Sequence, residues 1–199
     1  MENLYELLEE AAYKVPTKGI VVVNNSQCDL FLTYSELRDK SKKIAFILKS
    51  YYQVKSDSKI IISVEKSEDF ILLFWGCVMA GCIPVLMPSV QFSNKKSIAF
   101  ERLKNAIEIL GVVTLITNDI NLFEYYKSSF HKAVYFEDIM KQLELLQDYS
   151  LHISKRDSED LCVIQFSSGS TGAPKGVMLN FNNILANLKI KTLADEITT

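Results

Sequence analysis

The alternation of apolar and polar residues along the chain predicts a succession of strands and helices. Ile20-Val21-Val22-Val23 is a β-branched run, followed by the turn signal Asn24-Asn25 and then by Leu30-Phe31-Leu32, a pattern for a small hairpin. Thr33 stands three residues before Glu36, the spacing of a capping box, and opens a predicted helix. On that helix Leu37, Ile44, Ile47 and Leu48 share a face, with Arg38, Lys42, Lys43 and Lys49 elsewhere. Lys59-Ile60-Ile61-Ile62-Ser63-Val64 is apolar on both faces and reads as a central strand. A helix over 67–80, an extended stretch over 83–87 and a helix over 94–110 follow. In the last, Ile98, Leu103, Ile107 and Leu110 make the predicted stripe, and Gly111 occupies the C-cap. The pattern continues as strand 112–117, helix 120–130, strand 133–136, helix 138–147, a polar loop over 148–160 and strand 161–166. Val177-Met178-Leu179 is a further apolar strand, and a helix runs over 181–190. Such alternation implies right-handed crossovers and an α/β fold: one domain with a largely parallel sheet covered by helices on both faces. Sheets of this kind put ligand sites beyond the carboxyl ends of their strands.

The uncharged, nearly all-apolar run over 70–88 raises the question of a membrane span, which needs roughly 20 helical residues. Gly76, Gly81, Pro84 and Pro88 divide it, so the expectation is a buried helix ending near Ala80 and then a short buried strand, with no membrane span.

Composition narrows the function classes without choosing one. With 22 Lys and Arg against 24 Asp and Glu, the net charge is −2, and no long basic run suggests a nucleic-acid surface. The N-terminus Met1-Glu2-Asn3-Leu4-Tyr5-Glu6 lacks the build of a secretory signal. Cys28, Cys77, Cys82 and Cys162, with His131 and His152 standing alone, give no zinc-ligand spacing and read as buried reduced thiols of a cytoplasmic protein.

Chemistry is concentrated after the 161–166 strand. Ser167-Ser168-Gly169-Ser170-Thr171-Gly172-Ala173-Pro174-Lys175-Gly176 contains three of the seven glycines of the chain. Gly169, Gly172 and Gly176 let backbone amides approach a ligand, and the hydroxyls of Ser167, Ser168, Ser170 and Thr171 can donate to oxygen. Lys175 adds a mobile cation suited to phosphate, and together these groups make a cradle for an oligophosphate. The Walker pattern fails because Lys175 precedes Gly176 and Val177 follows; the dinucleotide pattern fails because Ser170 and Thr171 separate Gly169 from Gly172. A plain Gly/Ser surface loop would not be expected to add Pro-Lys-Gly between two apolar strands.

From Phe166 to Leu179 the run F-S-S-G-S-T-G-A-P-K-G-V-M-L resembles the AMP-binding signature of adenylate-forming enzymes. These comprise acyl-CoA synthetases, fatty acyl-AMP ligases and the adenylation domains of nonribosomal peptide synthetases. Leu32-Thr33-Tyr34-Ser35-Glu36-Leu37 resembles the family's early L-T-Y-x-E-L motif, and Gly76 through Val85 its G-x-x-x-A-G-x-x-P-V motif. Capping by Thr33 and Glu36, and close packing and termination at Gly76, Ala80 and Gly81, also account for these two segments, which are not taken as site residues. The resemblance implies that residues 1–199 are the N-terminal subdomain of an AMP-binding domain, with 161–179 as its strand-loop-strand phosphate-binding signature.

It further implies ATP and Mg²⁺, a carboxylic acid that attacks the α-phosphorus, and an acyl-adenylate passed to coenzyme A or to the phosphopantetheine of an acyl carrier protein. Ser167, Ser168, Gly169, Ser170, Thr171, Gly172, Lys175 and Gly176 would bind the nucleotide, and Lys175 would act catalytically on the leaving pyrophosphate. Family members run to roughly 500 residues, beyond one ordinary domain. The adenine site, the acidic Mg²⁺ ligand, the acyl pocket and the C-terminal lysine are all expected downstream, so the chain is expected to be silent alone. Gln165-Phe166-Ser167-Ser168 and the apolar Pro84–Pro88 run lean toward a fatty or other acyl acid. The alternatives are an amino-acid-activating adenylation domain or a non-catalytic module that binds a nucleotide or partner. Phe181 stands where the family often carries His, which bears on acyl selectivity, while Asn180 is open to reading as an N-cap.

Overall fold

Three consecutive isoleucines set the middle of the sheet. The structure is a computed structural model that describes residues 3–23, 29–94, 96–128, 132–168 and 174–198. Its central strand β3 (Lys59–Ser63) is preceded by a separate antiparallel pair, β1 (Gly19–Val22) and β2 (Leu30–Thr33). β4 (Ile83–Leu86), β5 (Thr114–Thr117), β6 (Lys132–Tyr135), β7 (Leu161–Ser168) and β8 (Pro174–Asn180) complete a six-stranded sheet of order β6-β5-β3-β4-β7-β8. Every neighbouring pair is parallel except β7 with β8. Ile60 and Ile62 enter one core cluster and Ile61 the other, as the twofold alternation of a strand requires, and all three are fully shielded from water. The expectation of a largely parallel α/β sheet is met.

On the Ile60/Ile62 face lie α1 (Leu4–Lys14), α2 (Tyr34–Ser50), α3 (Ser67–Met79) and α6 (Phe136–Leu145). The other face is covered by α4 (Ile98–Leu110) and α5 (Ile120–Lys127). A third cluster joins Leu4 of α1, Val78 of α3, Cys162 and Val163 of β7, and Phe181 at the start of α7 (Phe181–Thr198).

Local signals explain most boundaries. Thr33 Oγ1 accepts from the Glu36 amide at 3.1 Å and a Glu36 carboxylate oxygen accepts from the Thr33 amide at 3.0 Å, the reciprocal capping box that starts α2. Gly81 at φ +75° and Gly111 at φ +73° take positive φ after α3 and α4, which a glycine allows without strain. α3 therefore stops where the sequence placed its end, and among the described residues no helix is long and apolar enough to cross a membrane.

Some boundaries differ. α1, with Leu4, Leu8 and Ala12 buried at helical spacing, has no counterpart in the sequence reading. The predicted 94–110 helix begins at Ile98, because Ser97 Oγ caps the Phe100 amide at 3.1 Å, and a short 3-10 turn, Phe92–Asn94, comes before it. Ile98 lies roughly 140° around the helix from Leu103 and is 71% exposed; Phe100 and Ala106 join Leu103 and Ile107 in its place. Val112, next to the Gly111 turn, is 92% exposed, so β5 starts at Thr114 rather than 112. Phe136, placed in a strand, opens α6, and α7 continues past 190. α5 ends at Lys127, whereas the Asn24-Asn25 turn and residues 129–130 of the expected 120–130 helix lie outside the described residues.

Gly76 is where α2 and α3 touch: a Cβ there would stand 2.5 Å from Ile44 Cγ2. Gly76→Ala is expected to destabilise the fold by about 1–3 kcal/mol through overpacking, measured as a lower midpoint in urea unfolding with an unchanged slope.

Candidate functional site at the carboxyl edge of the sheet

The five parallel strands present their carboxyl ends at one edge. β4 ends its pairing with β7 at Leu86 opposite Gln165, whereas β7 and β8 go on pairing through Phe166 with Gly176, Ser167 with Lys175 and Ser168 with Pro174. This hairpin therefore stands proud of the edge.

Among the sequence-predicted site residues, Ser167 and Ser168 occupy the last two positions of β7, while Lys175 and Gly176 sit opposite on β8. Gly169, Ser170, Thr171 and Gly172 lie outside the described residues. Lys175 is exposed and makes no hydrogen bond or ion pair among the described residues, leaving an uncommitted cation near the start of β8. Gly176 lies beneath the Phe166 ring, whose Cζ would be 3.3 Å from an added Cβ. The absent side chain thus lets an aromatic cross the strand pair just below the tip.

The hairpin base is fixed by groups the sequence reading left as loop. Carboxylate oxygens of Glu159 accept from Asn180 Nδ2 at 2.9 Å and from Asn182 Nδ2 at 2.5 Å. The Asp160 and Ser158 carbonyls accept from the Phe181 and Asn182 amides. Asn180 caps α7, its Oδ1 accepting from the Asn183 amide at 2.8 Å, and Asn183 Oδ1 accepts from the Asn180 amide at 3.1 Å. The spacing Asp157-x-x-Asp160 was the available signal, since Asp160 Oδ2 accepts from the Asp157 amide at 2.9 Å in a tight turn. Phe181 is buried with Leu4 and Val78 and so serves the core.

The early motifs act structurally here, as caps and close-packed glycines. The chain order also reverses between β3 and β5, and a depression of about 290 Å³ opens there, lined by Glu65, Gln91, Asn118 and Asp119 among others. Its polar groups are already engaged: Asp119 accepts from the Phe92, Asn121 and Leu122 amides, and Gln91 Nε2 donates to Glu65 at 2.5 Å. Among the described residues no group of three or more His, Cys, Asp or Glu could hold a metal ion, so the Mg²⁺ that the resemblance implies finds no carboxylate set among them. Cys77, Cys82 and Cys162 are free and buried, and burial pushes the Cys82 and Cys162 thiols up to about 12.

A family model described as AMP-binding enzyme matches residues 8–198. The chain belongs to that family. The nonribosomal peptide synthetase pngA of Aspergillus terreus is 27% identical over 194 residues, 96% of this chain and 20% of the synthetase. The solved structure of McyG A-PCP complexed with phenylalanyl-adenylate matches with a TM-score of 0.85 at 26% identity, over 98% of this chain and 30% of that one. The fatty acid AMP ligase of Legionella pneumophila matches with a TM-score of 0.78 at 22% identity, over 95% of this chain and 32% of that one, a likeness of fold. The chain thus spans about a fifth of the length of the first relative.

On α3, which follows β3 at the same edge, burial is the main cause raising the Asp69 carboxyl to about 6 from 3.8, helped by Glu68 and Glu137 and opposed by Lys66. The folded state holds that proton more tightly than the unfolded chain. The associated stability is fully present below about pH 4 and is lost as the pH rises through 6. Asp69→Asn is expected to raise stability at pH 7.5 by about 1 kcal/mol, allowing for solvent screening, and to give no gain at pH 4, as read from melting temperatures at both pH values.

Proposed function

We propose that this chain forms the phosphate-handling part of an adenylation domain that activates an amino or keto acid. In this reading ATP and the acid give an acyl-adenylate and pyrophosphate, and the acyl group then passes to a carrier-protein thiol. The observation that carries the reading is the AMP-binding signature, seated on a hairpin projecting from the carboxyl edge, in a chain the family model matches over 8–198.

The relatives favour the amino-acid-activating alternative over the fatty-acyl preference drawn from the sequence. Named synthetases include pngA, bacitracin synthase 1 of Bacillus licheniformis and gramicidin S synthase 2 of Brevibacillus brevis. The apolar run that suggested an acyl chain has another cause: Ile83, Pro84 and Val85 are buried in β4 between the two helical layers. The match to the Legionella ligase supports the fold only.

The physical difficulty of the reaction is charge, because a carboxylate must approach a polyanion and pyrophosphate must depart. Fixed donors and a cation ease this electrostatically, without covalent help. In the proposal the hydroxyls of Ser167, Ser168, Ser170 and Thr171 and the amides of Gly169 and Gly172 hold the β- and γ-phosphates. Gly176 lets the strands close beneath them, and Lys175 neutralises the leaving pyrophosphate. Pro174 limits the entropy lost on binding. Mg²⁺ would supply further neutralisation from ligands outside the described residues.

Acid-dependent exchange of pyrophosphate into ATP, measured on the intact polypeptide that carries these residues, tests the proposal. Exchange stimulated by amino or keto acids is expected. Stimulation by fatty acids alone would transfer the protein to the acyl ligases, and nucleotide binding without exchange would make it a binding module. In the same assay Lys175→Ala should slow exchange about 10- to 1,000-fold, the usual loss for one electrostatic donor; an unchanged rate would remove Lys175 from the chemistry.

A further inference from the structure

Three neighbouring parallel strands begin around one guanidinium. Arg156 is the one buried charged side chain among the described residues, at 9% exposure. Its Nη2 lies 2.6 Å from Asp57 Oδ1, just ahead of β3. Its Nη1 donates to the Gly81 carbonyl at 3.2 Å, just ahead of β4. Its Nε lies 3.2 Å from Asp160 Oδ2, immediately ahead of β7. Asp57 (φ 64°) and Gly81 (φ +75°) both sit in the left-handed region, so two tight bends and a loop are brought to the same fork. The Arg156 charge also reaches the Cys82 and Cys162 thiols, opposing the larger effect of burial on each.

The backbone already joins the first two strands at this end. The Asp57 amide donates to the Gly81 carbonyl at 2.8 Å and the Ile83 amide to the Ser58 carbonyl at 2.9 Å. β7 is held differently. It pairs with β4 only at Val85 with Ile164 and Leu86 with Gln165, while its long ladder is with β8, which is itself the edge strand. Burial opposes a one-residue slip, because that would turn Cys162 and Ile164 to the wrong faces. A two-residue slip would move the hairpin tip by about 6.6 Å, and the irregularity between Leu161 and Val163, with Leu161 and Ile164 in one cluster and Cys162 and Val163 in another, resists it as well. To that packing the guanidinium adds direct contacts with residues ahead of three strands, which hold the axial position.

We infer that Arg156 is a positioning residue: it sets the axial seat of the β7–β8 hairpin against β3 and β4, and so fixes where Ser167, Ser168 and Lys175 stand at the opposite edge. The consequence for nucleotide rests on the phosphate-handling function proposed above; the seating of the hairpin does not. The Asp57 and Asp160 side chains are 67% and 43% exposed, so losing the guanidinium strands no buried carboxylate and the effect is local.

Hydrogen exchange resolved by peptide, on wild type and on Arg156→Met, tests the seating. The methionine keeps an apolar stem and loses every donor. Amides of 161–168 and 174–180 are expected to exchange at least about 10-fold faster, with β3 and β5 unchanged. Asp160→Asn, which weakens one arm, should give the same pattern at smaller amplitude, and Arg156→Lys, which keeps the charge without the fork, should restore protection only in part. Ile139→Ala, in the core beneath α6, supplies a destabilised control in which exchange accelerates without preference for the hairpin. In the pyrophosphate-exchange assay, Arg156→Met should raise the KM for ATP about 10-fold more than that for the acid, and Ile139→Ala should show no such split. Unchanged protection of the hairpin, or acceleration spread evenly as in the control, would overturn the assignment. A wild-type polypeptide without ATP-dependent exchange would instead remove the phosphate function and leave the hydrogen-exchange result to decide the role of Arg156.

Discussion

The burial of β3 on both faces is the constraint from which the rest of the architecture follows. Ile60 and Ile62 serve one helical layer and Ile61 the other, so neither layer can be removed without exposing the strand. A strand of that kind must be interior and is suited to parallel neighbours, because crossover helices cover both sides. With β3 fixed, β4 and β5 take its two flanks, and the carboxyl ends of all the parallel strands fall on one edge. The glycine- and hydroxyl-rich segment emerges there because β7 belongs to this parallel set and outruns its neighbour β4.

The two ends of the sheet have different chemistry. At the amino ends the polar groups are consumed internally: Arg156 by Asp57, Gly81 and Asp160, and Glu159 by Asn180 and Asn182. At the carboxyl end Lys175 remains uncommitted among the described residues. Were the hairpin to hold a polyanion, as proposed, the fixed end would supply rigidity and Lys175 an uncommitted cation.

Much of this was legible in the sequence, because the information was local. The β-branched run of β3, the Thr33–Glu36 cap and the glycines closing α3 and α4 are short-range patterns with short-range causes, and the signature segment is contiguous. What escaped had long-range or partial causes. α1 owes its burial to contacts with α2, α3 and α7, and its acidic sequence alone gave little sign of that. Ile98 fits a loosely drawn stripe, but the start of the helix is decided by Ser97, which rotates Phe100 inward. Arg156 lies in a polar stretch that reads as an ordinary loop, and its three partners are separated from one another by 24 to 103 positions in the sequence. The apolar Pro84–Pro88 run misled about substrate for a related reason, since a doubly covered strand and a wall for an acyl chain have the same composition.

The seating of Cys162 turns β7 into its own witness. Burial pushes the Cys162 thiol up to about 12, so at neutrality the sulfur stays protonated. Electrophiles that require thiolate therefore meet an almost inert group while the strand is docked. A departure of the hairpin from the sheet would return that sulfur to water and to ordinary acidity, so its alkylation would clock the opening of this one element without any added label.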